Sequence, residues 1–141
     1  MDLELSENLV AQYRQADYRV GCGPDAFVVH IDQYSEPMEK LLTAKSVTNA
    51  AIITAYNPLG QIQVAQKNLY AHLSLQRALK RRQCLLIEST NIDPVGTWPD
   101  EEGFCVLGTS LETIRMLGLQ FRQNAIVWIE NDAVPRLYLL R

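Results

Sequence analysis

Apolar residues recur along the chain at two spacings, and the change from one to the other marks out helices and strands. Behind Ser6, a good helix cap, Leu9, Val10, Tyr13 and Ala16 fall on one stripe and predict a helix to about Ala16. Two extended runs follow, Tyr18 to Val20 and Ala26 to Ile31, split by Gly21-Cys-Gly-Pro-Asp25. Glycine, proline and aspartate supply the dihedrals of a tight reversal, so this pair reads as a hairpin. Ser35-Glu-Pro37 opens a second helix, since proline in a first turn lacks only an N–H that has no helical partner there. Met38, Leu41 and Leu42 form its buried stripe, and it ends near Lys45.

Residues 50–56 are the most apolar stretch and show no alternation, which predicts an interior strand covered on both faces. From Gln61 to about Arg82, Ile62, Ala65, Leu69, Leu73, Gln76 and Leu79 recur at helical spacing and predict one long helix with that stripe inward. Cys84 to Glu88 is the next strand. Strand, helix and strand make a βαβ unit, whose crossover joins parallel neighbours. The breakers between Ser89 and Gly103 predict an ordered loop, with Trp98 and Glu101 on it. A strand at Phe104 to Leu107 leads to Thr109-Ser-Leu-Glu112, spaced as a capping box, and then Leu111, Ile114, Leu117 and Phe121 face the core. Ala125 to Ile129, the turn Glu130-Asn-Asp132 and residues 135–140 read as a terminal hairpin. The expected architecture is a single α+β domain over residues 1–141: a mixed β-sheet with a central βαβ unit, helices mainly on one face, and a terminal β-hairpin.

Composition narrows the class without naming a function. A chain of 141 residues that is 48 % hydrophobic builds one core. Sixteen acidic against 13 basic residues, a net charge of −3, predict no general attraction to nucleic acid or to an anionic membrane. The acidic start Met1-Asp-Leu-Glu-Leu-Ser-Glu7 has no hydrophobic signal core, and no window approaches a membrane span, so a cytoplasmic location is expected. The three cysteines, Cys22, Cys84 and Cys105, are odd in number and lack metal-site spacing; they read as small hydrophobes in a reduced core. His30 and His72 form no metal motif and no recognisable pair with a cysteine, and Gly21-x-Gly23 lacks the third glycine of a dinucleotide fingerprint. No metal, no cofactor and no catalytic residue are therefore assigned. Lys80-Arg-Arg82, with Arg77, ends a helix where cations suit the terminal carbonyls; an RNA-contacting role is the weakest alternative.

The elbow after the apolar strand carries the candidate chemistry. Ligand crevices lie beyond the carboxyl ends of strands in βαβ units, and Tyr56, Asn57 and the start of the long helix sit there. Alternation sends Thr54 and Tyr56 to one side and Asn57 to the other. Asn57 either meets a ligand or caps the turn before Pro58. Asn68 stands at a helical position beside the apolar stripe, facing solvent or serving another use, because asparagine is a poor helix former. Trp98 and Glu101 lie where a loop could fold over the crevice. Gln123 and Asn124 end a helix, with Asn124 suited to the left-handed residue that stops it.

Ile53-Thr-Ala-Tyr-Asn-Pro58, Asn68, Trp98-Pro-x-Glu101, Phe104-Cys-Val-Leu-Gly108 and Gln123-Asn-Ala-Ile-Val-Trp128, with Tyr13-Arg-Gln-Ala-Asp-Tyr18 upstream, together resemble the bacterial family catalogued as domain of unknown function 3293. The resemblance implies a small free-standing protein and no particular activity. By motif match it singles out Thr54, Tyr56, Asn57, Asn68, Trp98, Glu101, Gln123 and Asn124 as ligand-binding positions. The sequence departs from the pattern near Gly60, where a serine is expected, and at Glu102-Gly103, where Pro-Ser is expected. The leading expectation is a non-catalytic binding or interaction module that holds a small polar ligand or a protein partner at the strand-end crevice. A hydrolase-like enzyme using Glu101 as general acid or base is the rival.

Overall fold

The computed structural model describes residues 6–141. The acidic segment at residues 1–5, used above to argue against a signal sequence, lies outside the described residues. The elements run α1 (Glu7–Gln15), β1 (Asp17–Val20), β2 (Phe27–Val29), α2 (Glu36–Ala44), β3 (Ala50–Thr54), a tight helical turn (Pro58–Gly60), α3 (Ala65–Arg81), β4 (Leu85–Ile92), β5 (Glu101–Leu107), α4 (Leu111–Gln120), β6 (Ala125–Ile129) and β7 (Pro135–Leu139). The caps follow the local chemistry. Ser6 accepts from the Leu9 N–H, Ser35 from Met38 and Ser110 from Thr113. The last of these moves the cap of α4 one residue beyond Thr109, where the capping-box spacing had put it.

The strands form one seven-stranded sheet in the order β2-β1-β4-β5-β3-β6-β7. The α+β class holds, and β6 and β7 close the chain as an antiparallel hairpin. The βαβ unit is present in split form. β3 and β4 both pair antiparallel with β5, so they run parallel to each other with β5 between them. The parallel neighbours expected of a mixed sheet are thus not formed: every ladder is antiparallel. The sequence hides this because the strand that intervenes in space comes later in the chain.

β3 is interior, with all five of its residues buried, as its unbroken apolar run predicts. One sheet face, with Ala51, Ile53, Phe104, Val106, Ile126 and Trp128, packs on α3 and α4, the two longest helices. The other face, with Tyr18, Val20, Ile52, Cys105, Leu107 and Val127, is filled by Met38 and Leu42 of α2. The sheet curls around this second face: the Asp32 N–H donates to Pro135 O (2.7 Å) and the Ser35 N–H to Ala133 O (3.0 Å), tying the chain after β2 to the opposite edge.

Two expectations change. The helix starts at Ala65, so Ile62 precedes it, and of the predicted stripe Leu79 alone is buried: Leu69 and Leu73 are 52 % and 38 % exposed, whereas Asn68, Leu75 and Ala78 face inward with Leu79. The buried face contains an asparagine and a small alanine, so large apolar side chains do not mark it out, and hydrogen bonds from Asn68 set the rotation of the helix. The loop read between Ser89 and Gly103 is also much shorter. The β4–β5 ladder runs on to Thr90↔Glu102 and Asn91↔Glu101, which puts Glu101 on a strand. Among the cysteines, Cys105 is buried, Cys84 half-buried and Cys22 exposed, so the core assignment fails for Cys22.

Candidate functional site

β3 leaves the sheet at Thr54, whose hydroxyl donates to Glu102 O (2.7 Å) and accepts from the Tyr56 N–H (3.1 Å). The chain then turns through left-handed residues, Asn57 (φ 47°), Leu59 (φ 59°) and Gly60 (φ 70°). Asparagine tolerates that conformation through short-range hydrogen bonds; a leucine does not, and Leu59 is held there by its N–H on Arg122 O (2.8 Å). The Asn57 N–H donates to Asn68 Oδ1 (2.9 Å), and Asn57 Oδ1 accepts from Asn68 Nδ2 (3.0 Å) and the Gln63 N–H (3.1 Å). Gln63 Nε2 adds a bond to Asn68 Oδ1 (2.7 Å). The pairing of the two asparagines locks the elbow to α3 across eleven positions.

The remaining amide donor of the elbow points at a carboxylate. Asn57 Nδ2 donates to Glu101 Oε2 (2.9 Å), and the Trp98 indole N–H donates to the same oxygen (3.1 Å). Trp98 is fixed by the tip of the β4–β5 hairpin, where the Asp93 carboxylate accepts from the N–H groups of Val95, Thr97 and Trp98 and from the Thr97 hydroxyl. The Thr97 hydroxyl and the backbone donors hold the Asp93 carboxyl below its usual range. Glu101 goes the other way: burial pushes its carboxyl up, with the hydrogen bonds from Asn57 and Trp98 opposing. No cation pairs with it among the described residues, and its second oxygen, Oε1, has no hydrogen bond among them.

Glu101 separates two small adjoining cavities at the end of the curled sheet face. The first, about 30 Å³, has Thr54, Asn91, Trp98, Glu101 and Gln123 in its wall. The second, about 40 Å³, is bounded by Leu9, Ala16 and Ile92 and shares Tyr13, Tyr18, Asn91, Trp98 and Glu101 with the first. Each has room for one or two water-sized groups. Burial raises the phenols of Tyr13 and Tyr18, so both stay neutral.

Residues 53–126 match the family described as Protein of unknown function (DUF3293), just over half of the chain. The chain belongs to this family. No curated protein and no solved structure shows a match to it. The matched segment of this DUF3293 chain holds the elbow, Asn68, the Trp98 hairpin and Glu101, while Tyr13 and Tyr18 lie before it. Its departures from the motif at Gly60 and Gly103 have a steric side. A Cβ at Gly60 would meet Leu9 Cδ2 at 2.9 Å, and one at Gly103 would lie 2.3 Å from Ile53 O. A serine at either place requires its neighbours to move.

The structure brings Thr54, Asn57, Asn68, Trp98, Glu101 and Gln123 into one region. Asn68 is buried, not solvent-facing, and acts on the elbow without reaching a cavity. Gln123 donates to Tyr56 O (3.1 Å) and Phe121 O (3.2 Å), fastening the end of α4 to the elbow. Asn124 is not the left-handed residue that ends α4; Arg122 is, at φ 57°, and Asn124 Nδ2 donates to the Tyr13 hydroxyl (3.1 Å). The Tyr56 ring packs edge-on to His72, which stacks on Phe104 on the α3 side of the sheet, away from the cavities. Sequence reasoning missed Tyr13, Tyr18 and Asn91. The two tyrosines were legible as the ends of the Tyr13 to Tyr18 motif, whereas Asn91 becomes visible only through its register opposite Glu101 and Tyr18.

Proposed function

We propose that this DUF3293 chain is a non-catalytic binding module that holds a small polar ligand at the strand-end crevice, with Glu101 as the principal contact. One observation carries the reading: a half-buried carboxylate with no cationic partner among the described residues, one oxygen anchored by Asn57 and Trp98 and the other without a bond among them, in the wall of two cavities. Burying a charge without compensation is costly, and a ligand that supplies the compensation removes that cost. Asn57 and Asn68 contribute by position, because their donors serve the elbow and Glu101, and the Gln123 donor is engaged on Tyr56 O and Phe121 O. A cytoplasmic location belongs to the same proposal; among the described residues no helix is long and apolar enough to cross a membrane.

The test follows the Trp98 indole resonance in amide-correlation spectra while a library of small polar compounds is added, with Trp98→Phe to distinguish it from Trp128. Saturable shifts of that resonance, lost in Glu101→Gln, support the reading. A library that moves nothing near Trp98 counts against it.

A second reading has its own support. A carboxyl raised by burial is suited to general acid or base work near neutral pH, which keeps the Glu101 enzyme alternative in view. No described nucleophile or second acid hydrogen-bonds to it, so the binding role has the stronger geometry. Hydrolysis of generic ester or amide substrates that disappears in Glu101→Gln would reverse that order.

A further inference from the structure

The balance of donors and acceptors around the cavities, taken with their aromatic walls, identifies the class of ligand, and this step rests on the binding reading above. Asn57 Nδ2 and the Trp98 indole are engaged on Glu101 Oε2, the Thr54 hydroxyl on Glu102 O and the Tyr18 hydroxyl on Tyr13 O. Both bonds from Gln123 Nε2 go to backbone carbonyls, which fixes the orientation of that amide and leaves Gln123 Oε1 as a bare acceptor in the wall of the first cavity. Asn91 Oδ1 is fully buried with no partner among the described residues, and Asn91 stands in the wall shared by both cavities. Glu101 Oε1 is the third unpaired oxygen. The site therefore presents three oxygens without a hydrogen bond among the described residues, one of them a carboxylate; the donors left beside them are the Tyr13 hydroxyl, the Asn91 amide and the second hydrogen of Asn57 Nδ2.

A ligand that satisfies the three oxygens donates several hydrogen bonds, and one that compensates the carboxylate carries positive charge. An ammonium has three donors and no acceptor. Tyr13, Tyr18 and Trp98 line both cavities, and aromatic rings attract a cation through their faces. The first cavity is the size of an ammonium head, and the second, bounded by Leu9, Ala16 and Ile92, offers apolar wall to an alkyl stem. The geometry points to a primary alkylammonium as the ligand, its N–H groups on Glu101 Oε1, Gln123 Oε1 and Asn91 Oδ1 and its stem along the aromatic walls. A bare metal ion gains nothing from the apolar half of the site, and among the described residues no cluster of acidic, histidine or cysteine side chains is composed to hold one. A neutral alcohol leaves the carboxylate uncompensated.

The experiment titrates the full chain with n-butylammonium chloride at pH 7.5 in phosphate, following the Trp98 indole resonance, with potassium chloride and n-butanol as matched controls. The expected result is a saturable shift with butylammonium, weaker by about tenfold or more in Glu101→Gln, with little response to either control. Glu101→Gln keeps an oxygen for Asn57 and Trp98, and its dispersed spectrum verifies the fold; Asn91→Leu, which removes one acceptor and fills the wall, is a second variant with the same expectation. Nα-acetyl-lysine N-methylamide separates the sources: binding comparable to butylammonium assigns the site to lysine side chains of a partner, and its exclusion assigns it to free amines. Equal response to potassium, or to butanol, overturns the ammonium assignment while the binding reading stands. If butylammonium gives no shift yet another compound from the polar library does, the assignment also falls and the module survives; if nothing binds, both fall.

Discussion

Glu101→Gln separates the charge of the site from its shape, and the sign of its effect on stability follows from the burial of the carboxyl. Its Oε2 accepts from Asn57 Nδ2 at 2.9 Å and the Trp98 indole at 3.1 Å, and a glutamine oxygen in the same place keeps both bonds. Exchanging two charge-assisted bonds for neutral ones loses roughly 1 kcal/mol each. Removing the buried charge works in the opposite direction, and the raised carboxyl pKa says that the charged form is the disfavoured one in the fold. Because the folded pKa lies above the ordinary glutamate value of 4.5, the native state holds a proton that the unfolded chain has released; wild-type stability therefore falls as pH rises from about 4.5 through the folded pKa. The slope reaches at most about 1.4 kcal/mol per pH unit, and the variant lacks this component. Urea unfolding at matched ionic strength from pH 4 to 8 measures it, in acetate and phosphate because an amine buffer is itself a candidate ligand. Groups common to both proteins cancel in the difference. The expected outcome is near-equality at pH 4 and an advantage of the variant that grows as pH rises through the folded pKa of Glu101 and then levels off. A difference that is flat with pH, or a variant that loses ground as pH rises, refutes the argument that burial dominates at Glu101.

Asn68→Ala strands the buried Asn57 N–H and leaves Asn57 Oδ1 with the Gln63 N–H alone, so a loss of about 1–3 kcal/mol in chemical denaturation is expected, with little change if the elbow were held by the sheet alone. Gly103→Ala sets a Cβ against Ile53 O and should cost about 3 kcal/mol or more, or prevent folding, as judged by thermal melting. On α3, Leu75→Ala should cost about 3 kcal/mol and Leu69→Ala under about 0.5 kcal/mol; equal losses would restore the stripe read from the sequence. The Asp93 collar contributes stability above its unfolded pKa of about 3.8 that is lost as pH falls through its lowered folded value, so the advantage of wild type over Asp93→Ala in urea unfolding should shrink on acidification below about 3.8, and a difference that is flat with pH counts against the collar.

Elements set by local chemistry were legible in the sequence. Ser6 and Ser35 cap the helices they were expected to cap, Gly21 to Asp25 turns the first hairpin, and the unbroken apolar run of β3 marks an interior strand. What could not be read depends on residues distant in the chain. β5 inserts between β3 and β4 because of pairings to a strand that follows α3, and nothing within the βαβ segment encodes that choice. Trp98-Pro-Asp-Glu looked like loop because breakers are read locally, whereas the register of Glu101 is fixed by Asn91 across the ladder. The rotation of α3 turned on a polar contact, so a hydrophobic stripe was the wrong indicator there.

The same dependence explains why the elbow asparagines were found for a reason that proved incomplete. Asn57 stands in a left-handed turn that suits asparagine, whereas Asn68 stands near the start of a helix that does not, and both looked like ligand contacts. Their partners turn out to be each other, and the single donor they leave over is aimed at Glu101. The two asparagines thus stand one link away from the carboxylate. They build the mount, and the group they mount is a strand carboxylate whose neighbours include Tyr13 and Tyr18, far upstream in the chain. Substitutions at Asn57 or Asn68 should therefore weaken ligand contact and stability together, while Glu101→Gln weakens the contact by about tenfold or more and leaves the fold intact. A site whose amides touched the ligand directly would show the reverse.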